Sequence, residues 1–374
     1  MLNVLYISHF PDLKMGGQQS MLALIKNLDR SRITPFAILP SEGELKDVLT
    51  ALDCKCFIVP LLPLKPKHIF QQIKNIISIR NIIKQNNIHI VHPDHERDSL
   101  IGGLAKKLTK AKMIWHVRLT RKVKTDNLSV KFSDGIIGIS NDVKYRFENF
   151  KEIDRKYHTI YNGVECDTFV PLHDKNQIRS ELNLPGNCFL INFTGQFKIG
   201  KGIYDIIEAA KILKSSSTNI DFKFLLIGTP SSDDFYREMI DKINEYDLKN
   251  NFIILSQQSN IHRYMQASDL LLLPSHEGTE GMGRVLFEAM ACATPVIATN
   301  VKGVREAVTS QTGILVGEKN PKELASAIIQ FMNDSDLLKS FGEAGRRRAL
   351  EVFDIKIHAQ NVMKYYFFIF GFGH

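Results

Sequence analysis

The sequence predicts an α/β fold built from two doubly wound, Rossmann-like domains facing a cleft. Three observations predict it. Apolar runs of four to six residues alternate with longer segments of helical spacing, the pattern of a parallel sheet flanked by helices. A polar, proline-containing stretch over 167–184 breaks the alternation, which then starts again, so the interdomain linker is expected there. The length of 374 residues also exceeds what one core holds, and two domains are the expectation.

In the first half, strands are expected at 3–8, 34–39, 56–59, 88–92, 113–117, 135–139 and 158–161, with helices at 18–28, 43–52, 69–86, 99–108 and 141–150. The opening run lacks a basic leader and a small-residue cleavage site, so it reads as a buried strand rather than a signal peptide. Segment 69–86 spaces Ile69, Ile73, Ile76, Ile77, Ile79, Ile82 and Ile83 close to a helical stripe, with Lys74, Arg80 and Lys84 off it. That is either a helix packed on the sheet or a basic amphipathic helix against a membrane surface. In the second half, strands are expected at 189–194, 222–227, 252–255, 269–273, 295–298 and 313–316. Helices are expected at 204–213, 234–246, 261–267, 284–292, 322–333 and 336–352.

Composition narrows the function. No stretch of 18 uninterrupted apolar residues occurs, which argues against a spanning helix. The five cysteines, Cys54, Cys56, Cys166, Cys188 and Cys292, show neither metal spacing nor an even framework, so they read as reduced structural thiols of a cytosolic protein. The net charge of +8 is concentrated: residues 65–124 hold 14 Lys or Arg against Asp94, Glu96 and Asp98, a local +11. A confined basic patch suits either a polyanionic partner or a solvated face. Nucleic acid fits poorly, because the patch has few aromatics and no recognised motif; anionic lipid fits better.

The most informative segment runs from Glu280 through Gly281, Met282, Gly283, Arg284 and Val285 to Glu288, after the strand-like run ending at Pro274. In open α/β sheets, ligands sit beyond the carboxyl ends of strands, against helix N-termini. Free N–H groups near Arg284 and Val285 would face an anion such as a diphosphate. A carboxylate beside that anion needs another partner, and sugar hydroxyls supply charge-assisted donors. Three further sites stand at strand ends. Gly16 and Gly17 open a helix-like segment, as a tight turn or as an anion-facing backbone. Lys201, between Gly200 and Gly202, is either a solvated turn lysine or a point charge for phosphate, with Lys198 as a helper. His116 and Arg118 close a strand; the histidine is either structural or handles hydrogen bonds and protons at the cleft, and the arginine could hold an acceptor phosphate.

Together these residues resemble the family-4 retaining glycosyltransferases of the GT-B fold. The resemblance runs over nearly the whole chain and is most specific at 274–297, where Glu280 and Glu288 look like the family's Glu-x7-Glu signature. Asn162, Gly163 and Val164 resemble the turn before the family's interdomain linker, and Phe353 the aromatic where the last helix crosses back. The resemblance implies an acceptor-binding domain over 1–168, a nucleotide-sugar-binding domain over 169–352, and a crossing segment over 353–374. It implies that Glu280 contacts the donor sugar, Glu288 the ribose, and Lys201 the diphosphate. His116 would lie near the reacting centre and Arg118 at the acceptor. Gly16, Gly17, Gln196, Gly281, Met282, Gly283, Arg284 and Val285 would complete the donor site. No metal and no cofactor beyond the donor are expected.

Three departures stand out. Gln196 replaces a frequent arginine, leaving Arg284 or Lys198 to supply that charge, while Met282 and Ala293 read as small changes of packing. The expected activity is retaining sugar transfer from a nucleotide-sugar to a hydroxyl acceptor. The expected setting is cell-surface glycan synthesis, such as lipopolysaccharide, exopolysaccharide or glycolipid, with a sugar or lipid-linked acceptor at the cytoplasmic face of a membrane. A nucleotide-sugar epimerase or hydrolase, or a non-catalytic nucleotide-sugar-binding protein, are the alternatives.

Overall fold

A computed structural model describes residues 1–13, 16–172, 174–216 and 220–371. It divides into two compact units, Met1–Gly163 with the chain from Ile355 onward, and Val164–Asp354.

The first unit begins β1 (Leu2–Ile7), α1 (Gly16–Lys26), β2 (Ile33–Leu39), α2 (Glu44–Ala51), β3 (Lys55–Ile58), α3 (Ile69–Gln85) and β4 (Ile90–Pro93). It continues with α4 (Glu96–Lys106), β5 (Lys112–Val117), α5 (Asp126–Phe132), β6 (Gly135–Gly138), α6 (Ile153–Lys156) and β7 (Tyr157–Thr159). The strands are parallel in the order β3-β2-β1-β4-β5-β6-β7. Winding turns outward in both directions from β1 and β4, which makes their carboxyl ends the switch point where ligands settle. Residues 141–147 form a 3-10 segment where an α-helix was expected.

The second unit holds α7 (Lys175–Glu181), β8 (Phe189–Thr194), α8 (Ile203–Ser215), β9 (Phe222–Ile227), α9 (Asp233–Glu245), β10 (Phe252–Leu255) and α10 (Ile261–Ala267). After these come β11 (Leu270–Leu273), α11 (Arg284–Ala291), β12 (Val296–Thr299), β13 (Gly313–Val316), α12 (Pro321–Asn333) and α13 (Ser335–Val352). Its parallel order is β10-β9-β8-β11-β12-β13, with the switch point between β8 and β11. All four leucines of β11 are buried, as a strand covered on both faces requires.

The chain then returns to the first unit as α14 (Ile355–Phe370), whose Val362, Met363, Tyr365 and Tyr366 join the core formed by β1, α1 and β2. The aromatic end of the chain beyond residue 371 lies outside the described residues.

The stretch 167–184 is not the linker. Arg346 on α13 donates to the carbonyls of Cys166 and Phe169, and Arg179 on α7 donates to Ala267 O and to Asp269. These bonds fasten the polar stretch to the second unit, and the chain passes between units at Gly163–Val164 and Asp354–Ile355. Ala293 also proves more than a packing change. Its φ is +57°, a left-handed position after α11 that favours glycine.

Candidate functional site

In the second unit, two loops meet at the switch point. The loop after β8 carries Lys198 and Lys201; the loop after β11 carries Ser275, Glu280 and the glycines before α11. Gly200 O accepts from the backbone N–H of His276 (2.9 Å) and from Thr279 Oγ1 (2.9 Å), which fixes one loop against the other. Gly202 holds φ +72° with its α-carbon against Pro274; a Cβ there would stand 2.1 Å from Pro274 O. Gly283 likewise holds φ +72° at the start of α11, where a Cβ would stand 2.3 Å from Leu273 Cδ2. These close approaches explain why glycines bracket both charged loops.

Lys201 Nζ donates to Glu280 Oε1, and the same oxygen accepts from Ser275 Oγ at 3.0 Å. Burial, then the neighbouring Lys201, pull the Lys198 ammonium below its ordinary value, while Glu280 opposes that shift. Two cations therefore stand near one carboxylate, which Lys201 alone bonds, an arrangement that an anion would relieve. On α11, Arg284 grips Glu288 Oε1 through Nε (2.8 Å) and Nη2 (2.6 Å). Glu288 is 4% exposed, and Arg284 Nη1 is buried without a hydrogen-bond partner. An unpaired buried donor costs roughly 1–3 kcal/mol until an acceptor reaches it. Gly281, Met282 and Gly283 are buried beside it, Val285 is half-buried, and Gln196 is exposed on the loop after β8.

In the first unit, α1 starts at the exposed Gly16, and Gly17 lies against Arg118: a Cβ at Gly17 would meet Arg118 Cδ at 3.6 Å. Arg118 Nη1 donates to Asn162 Oδ1 (2.8 Å) and Nη2 to Asp94 (3.1 and 3.2 Å). The guanidinium is thus aimed at the carboxyl end of the sheet, beside a helix N-terminus.

His116 does not reach that surface. It is 0% exposed, and its Nε2 is buried without a partner. It ends a chain of buried polar groups: Tyr6 and Tyr366 hydroxyls 3.0 Å apart, Tyr366 Oη 2.7 Å from His92 Nδ1, and His92 Nε2 3.1 Å from His116 Nδ1. Burial first, then Arg118, hold the His116 ring well below the ordinary histidine range, so it is neutral near pH 7. His116, expected near the donor sugar, is thus buried at the end of β5, and Arg118, two residues on and in phase with it, stands half-buried at the strand's mouth.

Among the described residues, two groups bring three metal-ligating side chains together: His9, His95 and Asp98, and His92, Asp94 and His116. In the first, His9 Nδ1 already bonds Asp98 Oδ2 at 2.7 Å. In the second, Tyr366, His92 and the Arg118 cation occupy the ligand atoms.

The sequence thus located Lys201, Glu280, Arg284, Glu288, Gly17 and Arg118 at the two strand mouths. It missed Asp94, Asn162, Ser275 and the Tyr6–Tyr366–His92 chain. The available signal was polar residues at Tyr6 and His92 inside otherwise apolar strands, which sit directly across from each other in register.

Comparisons with known proteins agree on one family. Residues 174–348 match a family model described as glycosyl transferases group 1, and residues 15–168 match one described as glycosyltransferase family 4. The chain is 26% identical over 329 residues to the capsular polysaccharide biosynthesis glycosyltransferase CapM of Staphylococcus aureus, covering 80% of this chain and 82% of that protein. It is 23% identical to an Escherichia coli UDP-Gal:alpha-D-GlcNAc-diphosphoundecaprenol alpha-1,3-galactosyltransferase, covering 90% and 92%. A glycosyltransferase structure from Rickettsia africae superposes with a TM-score of 0.86 at 25% identity, covering 100% and 99%. Anabaena HepE, solved in complex with UDP, superposes at 0.84 and 19% identity, covering 97% and 99%.

Proposed function

Because the chain belongs to the family-4 glycosyltransferases of the GT-B fold, we propose that it transfers a sugar from a nucleotide-sugar to a hydroxyl acceptor, retaining the anomeric configuration and using no metal. The observation that carries this reading is the second unit's switch point. There Lys201 bonds Glu280 with Lys198 on the same loop, and Arg284 presents an unpaired donor.

Breaking the glycosidic C–O bond places negative charge on the departing diphosphate. Lys201, Lys198 and the N–H groups at the start of α11 stabilise that charge in fixed positions, so little reorganisation is needed as it develops. Lys201 turns from Glu280 to the phosphate, and the freed Glu280 accepts from the donor sugar's hydroxyls. Arg284 covers the charge that Gln196 does not supply, and Glu288 takes the ribose hydroxyls. The acceptor oxygen attacks on the face the diphosphate leaves, and the diphosphate takes its proton, with no protein nucleophile. HepE has been solved with UDP and with UDP-glucose, which supports a nucleotide-sugar donor here.

The names of the relatives point to a cell-surface glycan, and the E. coli relative acts on a diphosphoundecaprenol-linked sugar. The acceptor proposed here is therefore lipid-linked and met at the cytoplasmic face of a membrane. No helix among the described residues is long and apolar enough to cross one.

The test is sugar transfer by the purified chain. Lys201→Ala should lower kcat by about 100-fold or more, the scale of removing one preorganised donor, and Glu288→Ala should weaken donor binding. Donor turnover without any acceptor would favour the hydrolase or epimerase reading; full activity in both variants would remove these residues from the mechanism.

A further inference from the structure

Helix α3 is polar where it should be apolar and apolar where it should be polar. By helical spacing Ile69, Ile73 and Ile77 share one face, four residues apart. That face is turned to solvent: the three isoleucines are 53, 48 and 50% exposed, and Phe70 beside them is 79% exposed. Leu64, just before the helix, is also exposed. The inward positions of the same half-helix are taken by amides. Gln72 Nε2 donates to Leu62 O at 2.8 Å and Asn75 Nδ2 to Pro60 O at 2.7 Å. Only further along do Ile79, Ile82 and Ile83 enter the core with Val59 and Val91. The isoleucine stripe is therefore split, and its first half leaves Ile69, Ile73 and Ile77 about half exposed.

The charge around this face has one sign. Lys65, Lys67, Lys74 and Lys84 are all exposed, and no Asp or Glu occurs between Asp53 and Asp94. Interfaces made for another protein are depleted in lysine relative to the rest of the surface. Apolar side chains standing among lysines, with no acid near them, instead match the boundary of an anionic bilayer, where the rings and branches enter the acyl edge and the ammonium groups meet phosphate.

We infer that this face, formed by Leu64, Ile69, Phe70, Ile73 and Ile77 with Lys65, Lys67 and Lys74, docks on an anionic phospholipid surface. It gives a place to the membrane contact that a lipid-linked acceptor calls for, and it rests on that reading for its purpose but not for its evidence. Phe70 is the most exposed of the group and leads insertion; the lysines set the preference for anionic lipid and make binding fall with salt.

The experiment is vesicle co-sedimentation of the full chain, with phosphatidylcholine alone and with phosphatidylcholine mixed with phosphatidylglycerol. Binding should be at least about tenfold stronger to the anionic vesicles and should weaken as salt rises. Phe70→Ser with Ile73→Ser should lose that binding while melting at the wild-type temperature, since neither side chain joins the core. The double variant should keep donor turnover, with or without a soluble acceptor, so failure of the surface is separable from failure of the enzyme reading. Equal binding to both vesicle types, wild-type binding by the double variant, or a self-associated wild type that the double variant makes monomeric would each overturn the proposal.

Discussion

Lys201 shows how one side chain can serve two states. In this structure it neutralises Glu280; in the proposed mechanism it turns to the donor phosphate and frees Glu280 for the sugar. Ala293 is a residue-scale cost: an alanine at φ +57° pays steric strain that glycine avoids. Ala293→Gly should raise stability by about 0.5–1 kcal/mol, seen as a higher melting temperature; an unchanged or lower value would mean the site tolerates the methyl group. The buried histidines make a third case. Burial holds His92, His116 and His358 below the ordinary range, His358 at about 4. In the unfolded chain each protonates near 6.5, so below that pH the unfolded state binds more protons. The stability is therefore present above 6.5 and lost as pH falls toward 4. His358 alone should cost about 2 kcal/mol by pH 5, read as a lower urea midpoint. A midpoint that stays flat from neutral pH to 5 would show that these rings are hydrated.

At the scale of elements, the starts of α8 and α11 position the charged loops. Gly202 lets α8 begin against Pro274, so Gly202→Ala has both φ +72° and a 2.1 Å contact with a backbone oxygen to accommodate. It should lose more than about 1–2 kcal/mol of stability, and nucleotide binding should weaken with it; an unaltered melt and affinity would show that the loops are not held together there. These strand–loop–helix junctions were legible in the sequence, because alternation of apolar runs and glycine position follow from local geometry. The depth of a side chain along a strand was less so. His116 and Arg118 are two residues apart and in phase, yet one is buried and the other half-buried, and nothing in the mostly apolar β5 marks where burial ends. The spacing of the isoleucines in α3 left a packed and a membrane-facing reading open, and only the structure shows Gln72 and Asn75 occupying the inward positions.

At the scale of the whole molecule, the chain's last helix completes its first sheet. Tyr366 bonds both Tyr6 and His92, and Met363 and Val362 lie in the same core. Ending the chain after Asp354 should therefore destabilise the first unit and leave the second folded, visible as early proteolysis confined to residues before Gly163. Equal protection of both units would contradict this. The sequence could mark the return at Phe353 only by resemblance, since contacts separated by more than 300 residues leave no local signal. It also misplaced the linker, because a polar, proline-bearing stretch looks the same whether it spans two domains or is tied down by Arg179 and Arg346.

In the proposed mechanism Lys201, Arg284 and Glu288 form the nucleotide end of a sugar-transfer site. Calorimetric titration of a nucleoside diphosphate into the wild-type chain, Lys201→Ala and Glu288→Ala tests it most directly. One site per chain is expected, with affinity reduced at least about tenfold in each variant, a loss of about 1.4 kcal/mol or more. Undiminished affinity in both variants, or no binding by the wild type across the common bases, would contradict it.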